Sequence, residues 1–345
     1  MKKKIAITAV ILFFSTILFA QKKTRDFELI LSDQPFENSL YRYIECLDSR
    51  PDTTNLGIVQ VGLMNAKARV IPKTPFSVQL THLLNSLTDS TAKDGRLLLQ
   101  LKHFNFAEVT GAFSEKGYFY FRANLYVVSN GKYRTIASVD TLMVTSGMDV
   151  TKSNMKNGSI FIGKFIARNL LNKPADSTVG YTMDEVVNID SIEKQQFRLY
   201  SDTSYQEGLY LSWRSFRDQI PDKQIVVEMN KDVATGRIAD AKGKMVKVRP
   251  KDAYAVVVRG KPFISTEFGF YPLEKRNNNF FFTGKAKVSP NSADVVAASM
   301  FFGIIGGLLA SSGDVATFDM QIDYVSGGFI HLRQIEMPPS EQTLF

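Results

Sequence analysis

A period-two pattern in the first half of this 345-residue chain constrains its fold most. In "GRLLLQLKHFNF" (95–106) and "GYFYFRANLYVV" (117–128), one set of alternate positions is apolar and the other is largely polar or aromatic. Such alternation is typical of half-buried antiparallel strands. The dipeptide Asn130-Gly131 marks a tight hairpin, and "YRTIASVDTLMV" (133–144) returns as the partner strand. The pattern therefore predicts a meander of three antiparallel strands.

Two segments beside this meander have helical periodicity instead. In "TPFSVQLTHLLNSLTDS" (74–90), apolar residues fall on one face at three-and-four spacing, namely Phe76, Leu80, Leu83, Leu84 and Leu87. In "GSIFIGKFIARNLL" (158–171), Ile162, Ile166 and Leu170 are four residues apart. We expect residues 22–175 to form an α+β domain in which helices cover an antiparallel sheet.

The only cysteine, Cys46, lies in a segment for which we also expect a helix. Pro35 is a good first residue for it, and Leu40, Tyr43 and Leu47 recur at helical spacing. A single cysteine forms no internal disulfide, so the stability of the fold has to come from burial. No motif surrounds Cys46, which favours a buried structural thiol over a nucleophile.

The second half of the chain has shorter apolar runs and more frequent turn residues than the first half. Residues 176–204 mix short apolar pieces with Asp, Ser and Thr, which predicts a partly extended connector with one or two edge strands. From 205 to 345, short apolar runs alternate with turn sequences such as "AKGK", "RGKP", "RNNN" and "SGG". This spacing predicts a β-rich second domain, and the fold class is α+β.

The N-terminus is typical of an exported protein. Lys2, Lys3 and Lys4 precede an apolar run that ends at Ala20, which is the layout of a signal peptide spanning 1–20. The alternative is a retained anchor helix, for which the run is short. Cleavage would lower the formal charge from +8 to about +5, and the remaining basic residues are scattered. Nothing in this charge pattern predicts nucleic-acid binding.

One apolar stretch, "VVAASMFFGIIGGLLASS" (295–312), interrupts the β-rich half. As a helix, its small residues share one face: Ser299, Gly303, Gly306, Gly307 and Ala310. A single span would separate strands of one domain, so we favour a helical insertion that is buried or mediates self-association. Membrane insertion through 295–312 is the alternative, because its helical length of about 27 Å approaches that of a bilayer core.

The sequence gives no catalytic, cofactor-binding or metal-binding residues. "GSIFIGKF" (158–165) fits the G-x-x-x-x-G-K pattern, but its interior is bulky, no strand precedes it and Phe165 replaces the required hydroxyl. The three histidines, His82, His103 and His331, have no partner at metal-ligand spacing. His103 continues the inward series of its strand, and His331 is expected to face solvent.

Aromatic stripes are the remaining candidates for a binding surface. Tyr118, Tyr120 and Tyr126, or Phe268, Phe270 and Tyr271, could stack on sugars or peptides. Cross-strand packing is the alternative for both sets.

The last 140 residues or so resemble a module of uncharacterised exported proteins from Bacteroidota-type bacteria. The segments that carry the resemblance are "YQEGLYLSWRSFRDQIP", "AYAVVVRGKPFI", "FYPLEKRNNNFFFTG" and "DYVSGGFIHL". Asp-Ser/Thr triplets at 52, 89, 140, 176 and 190 are similar to the O-glycosylation sequon of the same group. The first domain is similar to accessory domains of envelope lipoproteins, without their lipid-carrying cysteine. The resemblance implies export and a shared fold, and it transfers no active-site residue.

We therefore expect an exported, non-catalytic protein of the periplasm or outer membrane that acts by binding or scaffolding. Its partners would be envelope proteins or a second copy of itself. One alternative is a membrane-anchored assembly component that uses 295–312 as a packing helix. The other is a hydrolase of envelope glycans or peptides, whose carboxylates the sequence does not single out.

Overall fold

A computed structural model describes residues 23–50, 52–62, 66–110, 114–230, 233–239, 243–287 and 315–335. The predicted signal peptide (1–20) and the apolar stretch (295–312) lie outside the described residues. The described residues form two compact units: one contains those up to 129 and those of 134–178, and the other contains 130–133 and those from 179 onward. Strands and helices occur in both units, so the prediction of a mixed α and β fold is confirmed.

The first unit is built on a curled sheet. Its strands are β1 (Lys23–Phe27), β2 (Tyr41–Asp48), β3 (Gly57–Val61), β4 (Ala66–Pro72), β5 (Gly95–Thr110), β6 (Glu115–Ser129) and β7 (Lys132–Gly147). Its helices are α1 (Phe76–Leu87) and α2 (Thr151–Ala167). The strand order is β1-β4-β3-β5-β6-β7, and β2 also pairs with β5.

The long strand β5 organises this sheet. One of its edges pairs with β6 in antiparallel fashion from Arg96 to Thr110. Its other edge pairs with β2 over the first half and with β3 near Phe106, both in parallel. Strands β1 and β4 are also parallel. The expectation of an antiparallel sheet was therefore wrong. The meander β5-β6-β7 and the antiparallel pair β3–β4 join sequential neighbours, whereas the parallel pairs β1–β4, β2–β5 and β3–β5 need crossover connections.

The core of the first unit contains apolar residues from the strands and from both helices. Leu83 of α1 and Ile162 of α2 belong to the same buried cluster as Phe119 of β6. The Phe27 ring at the end of β1 lies 5.2 Å from the Phe104 ring of β5. In a flat sheet, the three strand spacings between β1 and β5 would cover about 14 Å. The contact between the two rings reflects the curl of the sheet.

Cys46 lies on a strand, not on the predicted helix. Strand β2 pairs with β5, and its register shifts between Tyr41 and Tyr43. The residues that suggested a helix share no buried face: Tyr43 is 44% exposed, whereas the buried positions of the strand are Tyr41 and Ile44, on either side of the irregularity. Burial raises the pKa of the Cys46 thiol to about 12, which makes it a poor nucleophile at neutral pH.

The second unit begins with helices where the sequence predicted an extended connector. Residues 176–204 contain α3 (Met183–Val187), α4 (Ile189–Gln195) and α5 (Arg198–Ser201), and the short strand β8 (Gly180–Tyr181). Thr182 and Glu185 form a capping box at the start of α3. Strand β8 agrees with the edge strand predicted here, but the extended conformation was wrong for residues 183–201, because helices of four to seven residues are too short to show a periodic pattern.

Three small antiparallel sheets follow, in agreement with the predicted strands and turns. They are ordered β10-β11-β12, β15-β14-β13-β9 and β16-β17-β18-β19. The bounds are β9 (Gly208–Tyr210), β10 (Val226–Asn230), β11 (Val233–Ala239), β12 (Met245–Lys247), β13 (Ala255–Val258), β14 (Lys261–Thr266), β15 (Gly269–Pro272), β16 (Glu274–Arg276), β17 (Asn279–Lys287), β18 (Val315–Ile322) and β19 (Phe329–Ile335), with helix α6 (Trp213–Arg217) and a 3₁₀ turn at Pro250–Asp252.

Residues of the last two sheets share one buried cluster. Ile264 of β14 and Phe280 of β17 belong to it, together with Phe216 of α6. The opposite face of β13 and β14 contributes Val256 and Phe263 to a second cluster. Ile225, just before β10, and Ile238 of β11 pack against this second cluster. The second unit is therefore a set of layered sheets with short helices at its side.

Two glycines of α2 give a matched test of helix packing. A Cβ at Gly158 would lie 3.0 Å from the rings of Phe106 and Phe119, whereas one at Gly163 would meet Leu83 at 3.8 Å. We expect Gly158→Ala to lower the free energy of unfolding by about 1–3 kcal/mol through overpacking. Gly163→Ala should raise it by roughly 0.5–1 kcal/mol, because alanine favours the helix. Urea unfolding followed by circular dichroism measures both. Equal effects would contradict the close approach of α2 to the sheet at Gly158.

Candidate functional site

An open groove of about 460 Å³ lies between the edge strand β1 and the first turns of α2. Five consecutive residues line it on one side, so it runs along the strand. The residues that line it are Thr24, Arg25, Asp26, Phe27, Glu28, Ile30, Lys152, Met155 and Lys156. We call it the β1–α2 groove.

Within the described residues, only one edge of β1 is hydrogen-bonded to another strand, namely β4. The N–H of Lys73 donates to the carbonyl of Phe27, which places the polar groups of Phe27 towards β4. In a parallel ladder, alternate residues point their N–H and C=O groups the same way. Arg25 therefore pairs with β4 as well, whereas Thr24 and Asp26 turn their N–H and C=O groups towards the free edge of the strand. Within the described part of the chain, no strand pairs with this edge.

The chain that leaves β1 is fixed to both helices. The Leu29 N–H donates to Oε1 of Gln79 on α1 at 2.8 Å. One residue later, the Ile30 N–H donates to Oγ of Ser159 on α2 at 2.6 Å. Nε2 of Gln79 also donates to the Phe27 carbonyl at 3.3 Å. These bonds fix the position of β1 relative to α2 and keep the groove open.

The side chains that line the groove carry an excess of positive charge, from two lysines on α2 and one arginine on β1. Lys152 and Lys156 are exposed and one helical turn apart, and Arg25 lies on the same face of β1 as the buried Phe27. Among the described residues, these three cations form no ion pair. Asp26 points to the other face of the strand, and Glu28 is already paired with Lys73 at 2.7 Å.

A buried carboxyl group holds the N-terminus of α2 in place. Oε2 of Glu108 on β5 accepts from the Gln60 N–H at 2.7 Å and lies 2.9 Å from the Thr151 hydroxyl. The same hydroxyl lies 2.9 Å from the Gln60 carbonyl, so its one proton faces two acceptors. Burial raises the pKa of Glu108 to about 7, and the charges of Glu115 and Asp149 add to this shift. A protonated Glu108 satisfies every partner, because it donates to Thr151 while Thr151 donates to Gln60.

A second polar cluster lies in the other unit. The Tyr324 hydroxyl is 2.8 Å from Oδ1 of Asp190 and 2.5 Å from Oε2 of Glu193, both on α4. The buried Lys194 lies over the Tyr324 ring at 4.8 Å and donates to Oδ1 of Asn279 at 2.7 Å. These two carboxyl groups are directed at a side chain of the protein itself, so the cluster ties α4 to the end of β18.

The small-residue face predicted for the apolar stretch lies outside the described residues. It consists of Ser299, Gly303, Gly306, Gly307 and Ala310. Across the parts of the chain that the structure describes, no helix is long and apolar enough to cross a bilayer.

The histidines are not brought together. His82 is exposed on α1, and the described residues contain no cluster of His, Cys, Asp or Glu suited to a metal ion. His103 was placed on the wrong face, because a bulge between Leu101 and His103 reverses the alternation and puts its ring 5.2 Å from Tyr120. His331 was expected in solvent. It is buried against Phe318 at 4.6 Å, and burial lowers its pKa to about 4.

The aromatic stripes are internal. Tyr118, Tyr120 and Tyr126 are at most 4% exposed, and the Tyr126 hydroxyl donates to Oε1 of Gln100 at 3.0 Å. Phe270 and Tyr271 are buried as well. Stacking on a sugar needs an accessible ring face, so these tyrosines and phenylalanines do not form the predicted binding surface.

No protein-family model matches this chain, and no curated protein sequence is significantly similar to it. A comparison with solved structures finds the crystal structure of a DUF330 protein from Xanthomonas campestris. The match covers 50% of this chain and 99% of that protein, at 10% identity and a TM-score of 0.28. A likeness of this size assigns neither a fold family nor a function.

The sequence pattern did not reveal the groove residues. Arg25, Lys152 and Lys156 are ordinary surface residues until β1 and α2 are brought side by side. Lys152 and Lys156 at i and i+4 indicate one helix face, but the spacing does not show what that face meets.

The buried carboxyl group gives a prediction for pH. The folded state raises the pKa of Glu108 from 4.5 to about 7, so the folded state favours the protonated form. Its stabilising contribution is complete below pH 4.5 and is lost as the pH rises through 7. The loss amounts to at most about 3 kcal/mol. Glu108→Gln removes the titrating group and should flatten this part of the profile, although its amide nitrogen cannot both donate to Thr151 and accept from the Gln60 N–H. Urea unfolding from pH 4 to 8 measures the effect.

The exposed Glu37 supplies the control for this experiment. Glu37→Gln should keep the wild-type profile, because its carboxylate is solvated in the folded and unfolded states. If Glu108→Gln and the wild type lost stability equally between pH 4.5 and 7, the role assigned to Glu108 would be wrong.

Proposed function

We propose that this is an exported, non-catalytic protein of the cell envelope that acts by binding a protein partner, and that the β1–α2 groove is its binding surface. The observation that carries the proposal is that, among the described residues, the outer edge of β1 pairs with no strand and lies beside a positive helix face without ion pairs. A sheet edge with outward N–H and C=O groups is an established means of binding a polypeptide. The groove also offers apolar contact at Met155 and at Ile30, which is 47% exposed.

Export and envelope location rest on the sequence. The basic start, the apolar run and Ala20 support a cleaved signal peptide over residues 1–20. Cleavage there would leave β1 only a few residues from the new N-terminus. A periplasmic or outer-membrane-associated protein would then present its groove to other envelope proteins.

The finer architecture of the first unit is also a proposal. We infer that α1 and α2 form one layer over the curled sheet. The inclusion of Leu80, Leu84 and Ile166 in the cluster of strand residues supports this layer, as does the approach of Gly158 to β5 and β6.

The two alternatives have less support. A hydrolase would need carboxyl groups that face an open cleft, but Asp190 and Glu193 converge on Tyr324. A membrane-anchored assembly component would depend on 295–312, which lies outside the described residues. The groove, by contrast, is formed by described residues of both β1 and α2.

Site-specific cross-linking tests the groove as the binding surface. A photoreactive amino acid placed at position 156 should give a discrete adduct with an envelope protein in the producing cell. The same amino acid at position 164, also exposed on α2 but outside the groove, is the matched control. The adduct, identified by mass spectrometry, should form again from the two purified proteins. Identical adducts from both positions would contradict a specific groove.

The mature N-terminus tests export. We expect the protein isolated from the envelope fraction to begin at Gln21, as read by mass spectrometry of the intact chain. A variant that lacks residues 2–20 should stay in the cytosol. An envelope protein that retains Met1 and resists an alkaline carbonate wash would show that the N-terminal run is an anchor instead.

A further inference from the structure

We propose that the occupant of the β1–α2 groove is an acidic polypeptide segment in extended conformation, which adds to the free edge of β1 as a further strand. This inference rests on the proposed function and names the chemistry of the partner.

The backbone of β1 requires the extended conformation. Thr24 and Asp26 present N–H and C=O groups at the free edge, two residues apart. A partner can satisfy them only with backbone groups at the same repeat, about 6.6 Å for two residues of a strand. The five residues of β1 span roughly 16 Å, enough to pair with a segment of similar length. A helix presents no such repeat, because its backbone groups are bonded within the helix.

The charges of the groove select an acidic segment. Arg25, Lys152 and Lys156 flank the place that the added strand would occupy, and within the described part of the chain none of them has an acidic partner. In a strand, alternate side chains point to the same face, so acids at every second position would all face these cations. A basic segment would meet three like charges, which costs affinity and excludes wrong partners.

The apolar part of the groove limits what else can enter. Met155 is partly buried and packs against the core of the first unit. Ile30, which also lines the groove, is exposed. A polypeptide can place one apolar side chain here and still pair its backbone with β1. A polyanion without amide groups could use the cations but not the strand edge.

The test uses three matched nine-residue peptides and the full mature protein. In the first peptide glutamate alternates with valine, in the second glutamine replaces glutamate, and in the third the acidic peptide is N-methylated on every residue. The third keeps the charge and loses the backbone donors. Fluorescence anisotropy measures their dissociation constants, and only the first peptide should bind well.

Two pairs of protein variants separate charge from backbone. Lys152→Glu with Lys156→Glu should weaken binding of the acidic peptide at least tenfold, which is about the effect of reversing close charges. Lys164→Glu on the same helix should leave it unchanged. Thr24→Pro removes one outward N–H without touching the pairing with β4, and should weaken binding about tenfold. Thr24→Ala keeps the N–H and should bind as the wild type does.

The outcomes distinguish this inference from the function on which it rests. Equal binding of the acidic and N-methylated peptides would overturn strand addition, since charge alone would then account for the affinity. Equal binding of the glutamine and glutamate peptides would overturn the acidic partner. If no peptide bound while position 156 still cross-linked a specific envelope protein, the inference would fail and the proposed function would stand. If the cross-link from position 156 were also absent, the result would contradict both the inference and the proposed function.

Discussion

The antiparallel ladder between β5 and β6 is the constraint on which the rest of the first unit depends. It runs from Arg96 to Thr110 on β5 and leaves one long edge of that strand for other partners. Strand β2 takes the first half of this edge and β3 takes the second. Because β4 pairs with β3 and β1 pairs with β4, the position of β1 depends on the β5–β6 ladder. The aromatic contacts of Phe27 with Phe104 and Phe106 then draw this chain of strands into a curl.

The same ladder positions the helix that completes the groove. Gly158 lets α2 approach Phe106 and Phe119, one on each strand of the ladder, without steric conflict. Glu108, near the end of β5, is hydrogen-bonded to Thr151, the first residue of α2. The two sides of the groove are therefore fixed to the same pair of strands. Edge strands invite unwanted pairing, and nearby cations discourage it. Three cations beside β1 would oppose self-association and still admit an acidic strand.

The sequence predicted some elements because their patterns are local. Helix α1 and the β6–β7 hairpin at Asn130-Gly131 were both found where periodicity and turn chemistry agree. Asn277 and Asn278, with positive φ, likewise close the turn between β16 and β17. The failures have separate causes. The apolar spacing of Leu40, Tyr43 and Leu47 in and before β2 only resembled a helix, since Tyr43 is exposed, and a bulge in β5 reversed the face of His103. The groove could not be predicted, because β1 and α2 are more than 120 residues apart in the sequence and no local pattern indicates that they lie side by side.

Hydrogen exchange at the backbone amides of β1 tests the central claim most directly. In the free protein, the amides of Arg25 and Phe27 should be protected by their bonds to β4, whereas those of Thr24 and Asp26 should exchange rapidly. When the groove is filled by its partner, Thr24 and Asp26 should become protected while Arg25 and Phe27 change little. Protection of Thr24 and Asp26 already in the free protein would mean that this edge is covered by another part of the chain, and the binding surface proposed for the protein would not exist.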